Sequence, residues 1–134
     1  MYEYKATIIK VVDGDTVDVD IDLGFDCWIR NQRIRLFGID TPECRTRNKK
    51  EKAHGLLAKK YVQETLIVGR TYALRTKEKG KFGRFLGEFQ TGKGAITKLL
   101  VKEGLAVPYT GQNKAEVAAM HELNRIALIE EGKL

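Results

Sequence analysis

In Val17-Asp18-Val19-Asp20-Ile21-Asp22-Leu23, apolar and acidic residues alternate without a break. A period of two puts every apolar side chain on one face, as in a β-strand that covers a core on one side only. Just before it, Asp13-Gly14-Asp15 supplies turn chemistry, and Tyr4 to Val12 is rich in β-branched residues. The pair therefore reads as two strands joined by a tight turn. Just after it, Gly24 marks a bend and Trp28 to Phe37 gives a third strand. Further on, Arg70 to Thr76 and Arg84 to Gln90 give two more, with Gly80 and Gly83 in the connecting loop.

Helical spacing fills the gaps. Lys50 to Ile67 places Ala53, Leu57 and Tyr61 on one stripe. Ala95 to Glu103 carries Ile96, Leu99 and Leu100 at i, i+3 and i+4, with Gly104 as a natural C-cap. Lys114 to Glu131 carries Val117, Met120, Leu123 and Ala127 and ends before Gly132. Three strands, a helix, two strands and two helices predict an α+β fold: a five-stranded Greek-key barrel of the OB type with three α-helices. No repeat, low-complexity run or linker interrupts residues 1–134, which read as a single domain.

The chain has 134 residues, of which 43% are hydrophobic and 31% charged, enough to build a core without disulfide staples. That composition excludes disordered and collagen-like classes. No apolar run approaches the ~20 residues of a membrane span. The start, Met1 to Thr7, has no signal-peptide core, which points to the cytoplasm, although a processed secreted chain would look the same. A net charge of +6 favours a polyanionic partner, and its distribution sharpens the point. Six aspartates fall between Asp13 and Asp26 with no basic residue. Seven basic residues fall between Arg45 and Lys60 (Arg45, Arg47, Lys49, Lys50, Lys52, Lys59, Lys60) against the single acid Glu51. A polyanion gains from the second segment and is repelled by the first unless some aspartates hold a cation. The basic run is equally readable as a solvated helix face.

Cys27 and Cys44 form no zinc motif and leave a disulfide or two thiols open. His54 and His121 are far apart and add no local ligand pattern. The aspartates of the alternating strand lack the Gly and Glu spacing of a calcium loop and read as a solvated strand face. A stronger constellation is Asp15 with Asp40-Thr41-Pro42-Glu43. Asp15 lies at the entrance to the second strand and Asp40 just past the third, so neighbouring barrel strands can bring them together. Pro42 fixes its own φ and extends Thr41, which gives a rigid kink with Asp40 on one side and Glu43 on the other. These carboxylates serve either as ligand and base around a Ca²⁺ or Mg²⁺ ion, or as caps of the following helix. Arg35 and Arg84 add guanidinium forks that suit phosphate oxygens.

Four segments in order carry a resemblance: Val12 to Val17 with Asp-Gly-Asp-Thr, Ile34 to Glu43 with Asp40-Thr41-Pro42-Glu43, Phe82-Gly83-Arg84, and Glu103 to Ala106. The chain resembles the staphylococcal nuclease (thermonuclease) family over about Lys5 to Lys133. That resemblance implies an OB-fold barrel with three helices and Ca²⁺-dependent hydrolysis of DNA or RNA phosphodiesters, leaving 3′-phosphate and 5′-hydroxyl ends. It assigns one Ca²⁺ ion to Asp15, Asp40 and the Thr41 carbonyl, the general base to Glu43, and phosphate binding to Arg35 and Arg84. Phe82 stands where the family has a tyrosine, and Tyr109 is the one tyrosine left near the end to meet a nucleotide, so both are candidate substrate contacts. The expected partner is DNA or RNA, with no membrane and a monomeric chain.

The rival reading is a catalytically inactive OB-fold module that grips single-stranded nucleic acid. Against it, a pure binder has no use for three carboxylates beside its phosphate-binding arginines, since they repel the ligand.

Overall fold

The computed structural model describes residues 2–79 and 84–134. Strands β1 (Tyr2–Asp13), β2 (Thr16–Asp22) and β3 (Trp28–Leu36) form an antiparallel meander. The two-residue β4 (Ile39–Asp40) leads through a loop into helix α1 (Lys49–Thr65). Strands β5 (Thr71–Lys79) and β6 (Phe85–Thr91) follow, then β7 (Gly94–Ala95), α2 (Ile96–Lys102), β8 (Val107–Pro108) and α3 (Lys114–Glu130). The sheet order is β3-β2-β1-β5-β6-β7, and β3 also pairs with β6 in parallel, which closes five strands into an OB-type barrel.

Alternation along the strands builds the interior. Val17, Val19 and Ile21 face inward from β2, as their spacing requires, while Leu23 falls beyond the strand and is exposed. On β1 the buried residues Ile8 and Val11 are an odd number apart. The register shift between Ile8 and Lys10 accounts for this: one extra residue turns the strand over and bends it around the barrel. Gly87 sits where the barrel closes. A Cβ there would meet Leu74 Cδ1 at 2.8 Å, the Arg75 carbonyl oxygen at 3.2 Å and Ile34 Cγ2 at 3.3 Å, so the glycine lets β6 pack closely between β5 and β3. Phe89, Leu74, Ile34, Leu36, Ile96, Leu100, Val62 and Leu66 complete one continuous core of barrel and helices.

The acidic strand face is paired across the hairpin. Arg33 Nε donates to Asp18 Oδ1 at 2.9 Å, and Arg30 Nη1 to Asp20 Oδ2 at 3.1 Å. Asp18 and Asp20 thus answer to β3 arginines. Cys27 and Cys44 are free thiols, the first exposed and the second buried.

Two helix stripes differ from the sequence reading. On α1 the buried residues are His54, Gly55, Ala58 and Val62, whereas Ala53 is exposed and Leu57 and Tyr61 are only partly covered. The helix lies so close to its neighbours that small residues, not large apolar ones, face inward. On α3 the buried residues are Val117, His121, Arg125 and Leu128, and Leu123 is 70% exposed. Two polar side chains, His121 and Arg125, occupy inward positions there. On α2, Thr97 joins Ile96 and Leu100 inside. Ala95 offers no capping side chain to that helix, and Glu88 of β6 takes its place, accepting from Thr97 N at 3.2 Å and bonding the Thr97 hydroxyl. Among the described residues, no helix is long and apolar enough to cross a membrane.

Candidate active site

Four separate stretches meet at one end of the barrel. The turn between β1 and β2 brings Asp13 and Asp15, the end of β3 brings Arg35, the segment after β4 brings Asp40 to Cys44, and the start of β6 brings Arg84. Together they line a cavity of about 250 Å³ whose walls are almost wholly polar. Barrel closure explains the two arginines: Arg35 stands opposite Leu86 in the parallel β3–β6 ladder, which sets Arg84 at the same edge.

Backbone packing holds the loop in place. A Cβ on Gly55 would stand 2.5 Å from the Glu43 carbonyl oxygen and 2.8 Å from that of Pro42. A Cβ on Gly14 would stand 2.9 Å from Ala58 Cβ and 3.3 Å from Thr41 Cβ. Helix α1 therefore clamps the Asp13–Asp15 turn and the Thr41–Cys44 loop together through glycines that permit the approach. Thr41 is buried. The helix itself is capped by Asn48, whose side chain accepts from Lys50 N and Glu51 N. Asp40 and Glu43 are thereby left out of the cap.

Arg35 is the hub of the charges. Its Nη1 donates to the Leu36 carbonyl at 2.8 Å and its Nη2 to the Ile39 carbonyl at 3.0 Å, which fixes the guanidinium plane. Asp15 Oδ2 stands 3.5 Å from Nη1 and Asp40 Oδ1 stands 3.9 Å from Nη2. Asp15 is oriented further by the Thr16 hydroxyl, which donates to its Oδ1 at 3.0 Å. Glu43 reaches solvent at the cavity rim, yet partial burial and then the charges of Asp15 and Asp40 push its carboxyl above the usual carboxylate range. The Cys44 thiol, facing the same cavity, is pushed up by burial and then by Asp13, so it stays a protonated, inert thiol.

The charge balance bears on a cation. Asp15, Asp40 and Glu43, with Asp13 behind, outnumber Arg35 and Arg84. Hard oxygen donors in an excess-negative cavity suit a hard divalent ion. Asp15, Asp40 and Thr41, the donors that the family resemblance implies, all line this cavity. Among the described residues no three acidic, histidine or cysteine side chains are gathered closely enough to form a ready-made cage.

A second, larger groove of about 510 Å³ opens from the first and shares Arg35, Asp40, Thr41, Pro42 and Glu43 with it. Tyr109, Gln112, Lys114, Val117 and His121 form its far wall. Tyr109 is placed there by the short β4–β8 pairing, Ile39 against Pro108 and Asp40 against Val107, and by its own N–H donating to the Gly38 carbonyl at 2.8 Å. The residue is 45% exposed. Phe82 lies outside the described residues, as do Gly80 and Gly83 of the same loop.

One functional neighbour escaped the sequence reading. His121 of α3 donates from Nε2 to Asp40 Oδ2 at 2.8 Å, the ring nitrogen being the donor because a carboxylate only accepts. Behind it, the His54 ring stands edge-on with centroids 6.0 Å apart. His54 is fully buried, donates from Nε2 to the Gly104 carbonyl at 2.9 Å, and is held neutral by burial, which lowers its pKa. The two histidines that sequence keeps apart are thus neighbours. The available signal was the i, i+4 placement of His121 and Arg125 in line with Val117 on α3.

Residues 33–129 match the family model described as staphylococcal nuclease homologue, and the chain belongs to that family. It is similar to a thermonuclease of Staphylococcus hyicus, 34% identical over 105 residues that make up 78% of this chain and 59% of that protein. A thermonuclease of Staphylococcus intermedius is 36% identical over 98 residues, 72% of this chain and 55% of the relative. A micrococcal nuclease of Shigella flexneri is 26% identical over 134 residues, 93% of this chain and 70% of the relative. The chain therefore spans between 55% and 59% of the length of the two thermonucleases.

Proposed function

We propose that this chain is a Ca²⁺-dependent nuclease that hydrolyses phosphodiester bonds of DNA or RNA and leaves 3′-phosphate and 5′-hydroxyl ends. The observation that supports it best is the single polar cavity in which Arg35, Arg84, Asp15, Asp40 and Glu43 converge from four stretches of chain. The family membership and the names of the relatives point the same way.

Arg35 and Arg84 receive the phosphodiester, and their guanidinium groups offset the charge that builds on its equatorial oxygens during attack. Removing one such donor costs on the order of 3 kcal/mol in the transition state. Glu43 takes a proton from water, and the resulting hydroxide attacks phosphorus. The bond to the 5′ oxygen breaks, and that oxygen leaves as a hydroxyl with a proton from solvent. Partial burial, the largest cause of the raised Glu43 carboxyl, acts in the direction that favours accepting a proton. Asp15, Asp40 and the Thr41 carbonyl would hold one Ca²⁺ ion, which supplies further positive charge at the phosphate. Tyr109 offers its ring to a base or sugar beside the cleaved phosphate.

A pair of variants tests the assignment. Glu43→Gln should keep Ca²⁺ affinity and lose about 10²–10⁴ in kcat, the usual loss for a general base. Asp40→Asn should raise the Ca²⁺ concentration needed for half-maximal rate, because one of two anionic ligands is neutralised. Titrating both by rate and by calorimetry separates the roles. If saturating Ca²⁺ rescued Glu43→Gln, Glu43 would be a ligand and not the base.

A further inference from the structure

Asp40 has two neighbours competing for its carboxylate. Arg35 Nη2 stands 3.9 Å from Oδ1, and His121 Nε2 stands 2.8 Å from Oδ2. We infer that His121 is a positioning residue, holding Asp40 by Oδ2 so that the carboxylate does not collapse onto Arg35 and Oδ1 stays available to a cation. The inference rests on the reading of Asp40 as a Ca²⁺ ligand.

The observations behind it lie on three elements. His121 is buried on the inward stripe of α3, in line with Val117, Arg125 and Leu128, where an apolar side chain would pack without desolvating a ring nitrogen. A histidine in that place makes one polar contact outward, and it goes to Asp40. Its ring is braced from behind by His54 of α1, at an interplanar angle of 90°, and His54 is itself tied to the Gly104 carbonyl after α2. The buried Nδ1 atoms of both rings have no hydrogen-bond partner among the described residues. Arg125, one turn further along α3, is buried as well and pairs with Glu122 at 3.3 Å. The helix interface behind Asp40 thus holds three buried polar side chains, His54, His121 and Arg125, of which His121 bonds the Asp40 carboxylate.

The consequence is a division of labour between α3 and the barrel. If Asp40 were released, its charge would be drawn toward the Arg35 guanidinium, an approach that is now only marginal. One swing would weaken the cation site and tie up a phosphate-binding arginine.

The test compares His121→Leu, His121→Gln and His121→Asn. Glutamine can set an amide N–H near the Nε2 position; leucine has no donor, and asparagine is too short to reach. Calorimetric Ca²⁺ titration without substrate, kcat at saturating Ca²⁺ and thermal melting are measured on each purified full chain. Leucine and asparagine should weaken Ca²⁺ binding about 10- to 100-fold, the range seen when a partner of a metal ligand is removed. Glutamine should recover most of that affinity, and saturating Ca²⁺ should restore much of kcat. The melting temperature should not follow this order. Should leucine fail to fold, the contrast between glutamine and asparagine carries the same information. Equal Ca²⁺ affinity in the wild type and in every variant overturns the inference and leaves the nuclease reading standing. A wild-type chain that binds no Ca²⁺ overturns both.

Discussion

Gly55 carries no side chain where α1 meets the loop, and the Glu43 carbonyl occupies the space a Cβ would need. Gly55→Ala must push that backbone away by more than half an ångström, since real contacts of this kind are not found at 2.5 Å. The expected stability loss is about 1–3 kcal/mol, as for other overpacked sites. Activity should fall further than stability suggests, because a displacement of ~1 Å in a catalytic group costs about 10²-fold. Melting and kcat of Gly55→Ala check this, and an unchanged kcat would show that the clamp does not position Glu43. His54 gives a pH dependence. Burial lowers its folded pKa, so the unfolded chain takes up a proton first, below about pH 6.5. Its stabilising contribution is complete above that value and is lost as pH falls toward the folded pKa. Urea denaturation between about pH 7.5 and pH 5.5 should show a shallower loss for His54→Gln than for wild type. Equal slopes would mean that His54 titrates alike in both states. Neither residue announced its role in sequence. Gly55 reads as a helix blemish until the carbonyls beside it are known, and His54 reads as a lone histidine until Gly104 closes on it. Asp15, Arg35, Asp40 and Glu43 were legible because turn chemistry, a proline and flanking strands confine them to short motifs.

At the scale of elements, alternation placed the second strand and helical spacing the three helices, while β-branched content and glycine turns marked the other strands. Helical spacing failed at the helix faces. The α1 stripe was read from large apolar residues, but close packing on the loop selects Gly55 and Ala58. The α3 stripe was read around Leu123, which is exposed, whereas the buried positions are Val117, His121, Arg125 and Leu128, with His121 bonding Asp40. The two-residue pairing of β4 with β8 left no periodic trace, yet it carries Tyr109 to the groove. The strongest charge pattern sits on α1 and the segment before it. Lys49, Lys50 and Lys52 are exposed at the helix start, and Glu51 between them lines the larger groove. If this face tracks a nucleic-acid backbone, replacing the three lysines with glutamine should weaken binding and flatten its salt dependence by up to about 0.7–0.9 for each phosphate no longer neutralised. An unchanged slope in log Kd against log salt would return the run to a solvated face.

For the whole molecule, closure of the barrel is what turns separate motifs into a site. The parallel β3–β6 ladder sets Arg35 and Arg84 on one edge, and α1 presses the two carboxylate-bearing segments against that edge. This long-range step follows from the strand order, which alternation suggests only through the number and sequence of elements. The net charge is +6, while the cavity gathers Asp13, Asp15, Asp40 and Glu43 with Arg35 and Arg84; under the proposed function a cation offsets those carboxylates when a phosphate enters. The measurement that tests this most directly is cleavage of supercoiled plasmid DNA and of single-stranded RNA by the purified chain, in Ca²⁺ and in excess EGTA. Cleavage is expected in Ca²⁺, leaving 3′-phosphate ends, with none in EGTA and recovery when Ca²⁺ is restored. Binding of nucleic acid with no cleavage under any of these conditions, or full cleavage in EGTA, would contradict it.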